Sequence, residues 1–144
     1  METKEFLDQL DEKKITAEIG EAEKRTSGEI RVFVSRHETG DPMAAAQKEF
    51  ASLGMSKTAA RNGVLIYFAP RSRNFAIIGD SGVHAKCGTH FWDGISKEMT
   101  ARLQSSDYTG AICGAVRSAG ELLAHHFPYT TGDSDELPNE VAHD

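Results

Sequence analysis

The sequence predicts an α/β fold, a three-layer sandwich in which a small mixed sheet of three to four strands carries helices on both faces. Three observations predict it. Ile30 to Val34 reads as a strand, Pro42 to Ala51 as a helix and Val64 to Phe68 as a second strand, in that order. Strand, helix, strand is the βαβ pattern, so the two strands are expected to run parallel. Val64-Leu65-Ile66-Tyr67-Phe68 is apolar without polar alternation, as a central strand covered on both faces requires. Pro70-Arg71-Ser72-Arg73-Asn74 then turns the chain into Phe75-Ala76-Ile77-Ile78, an antiparallel return strand.

The remaining elements follow in chain order. Phe6, Leu7 and Leu10, then Ile15, Ile19 and Ala22, suit one amphipathic helix with a break near Asp11. Thr26-Ser27-Gly28 ends it, with Gly28 available for a left-handed cap. Ile30, Val32 and Val34 alternate with Arg31, Phe33 and Ser35, so the first strand is expected to be covered mainly on one face. Asp41-Pro42 places a capping acid before a proline at the first helical position, and Gly54 stops that helix. The return strand ends at Gly79-Asp80-Ser81-Gly82, read as an acidic, glycine-flanked loop. Phe91, Trp92, Ile95, Met99 and Leu103 fall at helical spacing. Asp107 caps a last helix that keeps Ala111, Ile112, Ala115, Val116, Ala119, Leu122 and Leu123 on one face. Gly110, Gly114 and Gly120 lower its intrinsic propensity, which implies close packing against a neighbour. Phe127-Pro128 ends it.

The 144 residues fit one domain, expected to span 1–128 and to be followed by an acidic tail over 129–144, mobile or loosely docked. The net charge is −6, and Asp133, Asp135, Glu136, Glu140 and Asp144 carry most of it, leaving the rest nearly neutral. No basic stripe is present, which argues against a nucleic-acid partner. No apolar run approaches the roughly 18–20 residues needed to cross a bilayer. The charged start, Met1-Glu2-Thr3-Lys4-Glu5, has no apolar core of a signal peptide, so a cytoplasmic protein is expected, as a monomer. Cys87 and Cys113 are too few for a disulfide framework and read as small buried or half-buried thiols.

These residues together resemble a known family, the TPM domain, the module of thylakoid lumen phosphatase-like and photosystem II repair proteins and of many bacterial proteins. The resemblance runs from about residue 12 to residue 128. It is carried by Glu23 with Thr26-Ser27-Gly28-Glu29-Ile30, by Arg61-Asn62-Gly63-Val64-Leu65-Ile66 with Ala69-Pro70, and by Phe75-Ala76-Ile77-Ile78-Gly79-Asp80 with Gly82-Val83. Phe91-Trp92-Asp93, Asp107-Tyr108-Thr109-Gly110 and Leu122 to Pro128 complete it. The tail Asp135-Glu136-Leu137-Pro138-Asn139-Glu140 is similar to that of short, soluble bacterial members. The resemblance implies a Ca²⁺ or Mg²⁺ site and raises the phosphatase reading. The position before Gly63, often Asp in the family, is Asn62 here.

Four groups of residues invite a chemical reading. Asp80 and Asp93 flank the loop after the hairpin, and antiparallel pairing places Asn62 near Asp80, an oxygen-rich set of metal candidates suited to Ca²⁺ or Mg²⁺. The simpler reading makes Asp80 a turn residue and Asp93 a helix cap. Glu38, Asp41, Arg71 and Arg73 gather at the other end of the sheet, where open α/β sheets bind ligands and a helix start favours anions. Asp80-Ser81-Gly82 mimics the nucleophile loop of trypsin-like proteases, a fold this helix–strand order does not build. His84, Cys87 and His90 carry zinc-binding atoms at a spacing that no common zinc finger uses. Neither cysteine is followed by an arginine at cysteine-phosphatase spacing. No nucleophile or general base stands out, so the favoured function is a protein-interaction or accessory module with an unknown protein partner. The alternative is a metal-assisted phosphomonoester hydrolase.

Overall fold

The computed structural model describes residues 1–88, 90, 92–129 and 139–144. Phe91, the tail acids Asp133, Asp135 and Glu136, and the Leu137-Pro138 pair lie outside the described residues. Helices α1 (Thr3–Asp8) and α2 (Glu12–Glu23) replace the single broken helix expected at the start. The break falls at Asp11, whose carboxylate accepts the Lys14 N–H at 3.1 Å and caps α2. The C-cap of α2 is Lys24 in right-handed conformation, so Gly28 is not the left-handed cap that the sequence suggested. Gly28 serves a close approach instead, since a Cβ there would stand 3.0 Å from Leu123.

Strand β1 (Glu29–Val34), helix α3 (Pro42–Ser52) and strand β2 (Gly63–Ala69) form the expected unit of strand, helix and parallel strand. A short 3₁₀ turn at Pro70–Ser72 leads into β3 (Asn74–Gly79), antiparallel to β2. Helices α4 (Ser81–Cys87), α5 (Asp93–Gln104) and α6 (Tyr108–His126) follow, and β4 (Ala142–His143) closes the described chain. The sheet order is β3-β2-β1-β4. β2 is central and buried along its whole length, as its unbroken apolar run required. Part of the acidic tail is therefore docked: Ala142 and His143 pair in parallel with Phe33 and Val34.

The alternation along the strands sorts two cores. Ile30, Val32, Val34, Val64, Ile66 and Phe68 pack with Ile15 and Ile19 of α2, Met99 of α5, and Ile112, Val116 and Leu123 of α6. Phe33, Leu65, Tyr67, Ala76 and Ile78 pack against Ala46 and Phe50 of α3 and against Met55. Both faces of β1 are thus covered, which corrects the expectation of one covered face. Phe33 is buried and stacks on Tyr67, ring centroids 5.9 Å apart. Among the α6 glycines, Gly120 marks the closest approach to another helix: a Cβ there would come within 2.7 Å of the Ala22 Cβ.

Candidate functional site

The hairpin register sets Asp80 opposite Gly63, the residue that follows Asn62. Val64 pairs with Gly79, and the Asp80 N–H donates to the Gly63 carbonyl at 2.9 Å. The segment after β3 is not the acidic loop expected from the sequence. It is the start of α4, and Asp80 is its N-cap. One carboxylate oxygen of Asp80 accepts from the Ser81 N–H at 2.7 Å and from Arg61 Nη2 at 2.9 Å. The other accepts from Arg61 Nε at 2.8 Å. Burial pushes the Asp80 carboxyl up, but the Arg61 hydrogen bonds, the Ser81 N–H and the charges of Arg61 and His84 outweigh it. The net effect holds the group below the usual carboxylate range. The Arg61 guanidinium is correspondingly pushed up by its hydrogen bonds to Asp80.

Asn62 is 1% exposed. Its amide donates to Ser27 Oγ at 3.3 Å, and its backbone N–H to Thr58 Oγ1 at 3.3 Å. Its carbonyl oxygen Oδ1 has no hydrogen-bond partner among the described residues. Two buried carboxylates that the site reading passed over stand at the same end of the sheet. Glu29 begins β1 opposite Gly63, and Glu23 accepts the Ile30 N–H at 2.9 Å. Their signal in the sequence was a charged residue at each end of Thr26-Ser27-Gly28, immediately before an apolar strand. Asp93 opens α5 on the surface, 3.7 Å from His90 Nδ1.

The zinc-like set does not gather. His84 is exposed on α4, Cys87 is half-buried, and among the described residues no three His, Cys, Asp or Glu side chains converge on a metal position. Burial pushes the Cys87 thiol up, and burial, then the Glu18 charge, does the same to Cys113. Both are protonated thiols at neutral pH, poor nucleophiles and poor metal ligands. Ser81 lies on the first turn of α4.

The opposite end of the sheet is also divided. Asp41 caps α3, accepting the Ala44 N–H at 3.1 Å. Arg71 stands 3.8 Å from both Glu2 and Glu38. Arg73 instead lines a cavity of about 540 Å³. Phe6, Phe68, Phe75 and Tyr108 line it with neighbouring ring centroids 5.3 to 6.1 Å apart. Leu103 adds an apolar side chain, and Asn74, Thr100, Gln104 and Ser106 polar ones. Among the described residues, no Asp, Glu, His or Cys lines it.

A family model described as the TPM domain matches residues 1–122. Among solved structures, the BA42 protein of the psychrophilic bacterium Bizionia argentinensis is similar over 92% of each chain, at 35% identity and a TM-score of 0.86. The N-terminal domain of the cg2496 protein from Corynebacterium glutamicum shares the fold at 20% identity and a TM-score of 0.60, over 85% of this chain and 75% of that one. No curated protein matches the sequence significantly.

Proposed function

We propose that this chain, which belongs to the TPM domain family, works as an accessory module that binds a partner rather than as a hydrolase. The observation that carries this reading is the cavity. It is large enough for a ligand, and among the described residues its lining offers no carboxylate and no imidazole, which supports binding over hydrolysis. No described helix is long and apolar enough to cross a membrane. A cytoplasmic monomer is part of the same proposal.

A second reading is a metal-assisted phosphomonoester hydrolase using Ca²⁺ or Mg²⁺ at Asn62, Asp80 and Asp93. The buried, unpartnered Oδ1 of Asn62 favours it, because such an atom beside a carboxylate suits a hard cation. Against it, both oxygens of Asp80 are already engaged by Arg61, so a cation there has to displace the guanidinium. Turnover of p-nitrophenyl phosphate with Mg²⁺ or Ca²⁺ decides between the two. The binding reading expects no hydrolysis above a protein-free control. Metal-dependent hydrolysis that Asp80→Ala abolishes would overturn it.

A further inference from the structure

We propose that the cavity at the end of β2 binds a small carboxylic acid with an apolar body, held by its carboxylate on Arg73. The inference rests on the binding reading above and adds the chemistry of the ligand. The volume, about 540 Å³, lies within the roughly 300–1,000 Å³ typical of small-molecule sites. Four aromatic rings line it, which rewards an apolar or aromatic body.

Arg73 supplies the sign of the charge. Its neighbour Arg71 is shared between Glu2 and Glu38, whereas Arg73 has no acidic partner among the described residues. Among the described residues no acid lines the cavity, and Arg73 is its one formally charged side chain. A cationic ligand is repelled and a neutral one leaves the guanidinium unused. A carboxylate matches its planar fork with two parallel hydrogen bonds. One guanidinium suits one carboxylate better than a polyphosphate, which calls for several cations. Gln104 of α5 adds a polar side chain to the lining.

The backbone makes the placement of Arg73 specific. It has φ of 54°, in the left-handed region that favours glycine or asparagine, and its N–H donates to the Pro70 carbonyl at 3.1 Å. A turn of this shape accepts glycine at lower cost. The Arg73 side chain, which has no acidic partner among the described residues, lines the aromatic cavity and is free to hold a ligand there.

The test titrates 3-phenylpropionate and decanoate, each beside its neutral amide, into the full chain and follows backbone amide shifts. Both acids are expected to shift the Phe75, Leu103 and Tyr108 amides, and the neutral amides to bind about tenfold or more weakly. Arg73→Gly keeps the turn geometry and is expected to lose that preference for the acid without changing amide affinity. Equal binding of acid and amide, unchanged in Arg73→Gly, overturns the carboxylate assignment while the binding reading stands. If neither acid nor amide moves the cavity amides, both readings fall.

Discussion

Asp80 links helix α4 to the segment before β2. Its carboxylate caps the helix and receives a two-point bond from Arg61. Removing it in Asp80→Ala takes away the cap, a loss of roughly 0.5–2 kcal/mol near neutral pH. Because the folded-state pKa is lowered, this stabilisation is fully present above the ordinary carboxylate pKa of about 3.9 and disappears as pH falls through the lower folded value. Urea titrations are therefore expected to show a gap between wild type and Asp80→Ala at pH 7 that closes in strong acid. A gap that stays constant down the acid range contradicts this role. The sequence made the β2–β3 hairpin register readable, which sets Asp80 opposite Gly63, since register depends on strand pattern and turn length. It did not reveal Arg61 as the partner of Asp80. Arg61 makes that contact from a backbone with φ of 51°, which no pattern in the sequence signals.

At the scale of elements, α4 begins against the chain at residues 60 and 61. The Gly82 N–H donates to the Arg61 carbonyl at 2.8 Å, and a Cβ on Gly82 would stand 2.3 Å from the Ala60 carbonyl oxygen. Neither of those backbone atoms can move aside like a flexible side chain. Gly82→Ala is expected to destabilise by about 1–3 kcal/mol in thermal or urea unfolding. Gly94→Ala, in the first turn of α5 with open space around it, is expected to be neutral or slightly stabilising. Equal effects at both sites would remove the steric argument. Such approaches explain what the sequence reading could and could not show. The parallel β1–β2 pairing, the β2–β3 hairpin, the central strand and the α6 start at Asp107 came from patterns in neighbouring stretches of sequence, whereas the edge strand β4 did not. The double coverage of β1, the α4 start at Asp80 and the cavity arise from segments distant in sequence. The cavity joins Phe6, Phe68, Phe75, Leu103 and Tyr108, each of which reads singly as an ordinary core residue.

Across the whole molecule, the tail is a structural member of the sheet. β4 pairs with β1, and Asp144 accepts from Ser35 Oγ at 3.0 Å and from the Arg36 N–H at 2.7 Å. His37 Nε2 lies 3.4 Å from the same carboxylate. Asp144→Ala is expected to cost about 0.5–1.5 kcal/mol or less and to speed hydrogen exchange at the Arg36 amide. The Ser35 amide, bonded to the Phe68 carbonyl inside the sheet, serves as the internal control and is expected to stay protected. Unchanged exchange at Arg36 would mean the tail does not hold this edge in solution. The Arg36–Asp144 contact also spans 108 positions of the chain. Closing so long a loop carries a larger entropic penalty than closing the β2–β3 hairpin. The order of assembly expected from that penalty has the hairpin and the βαβ unit in place first, with β4 joining a sheet already formed. Until it does, the nascent fold carries a bare edge along β1, a template for pairing with another chain.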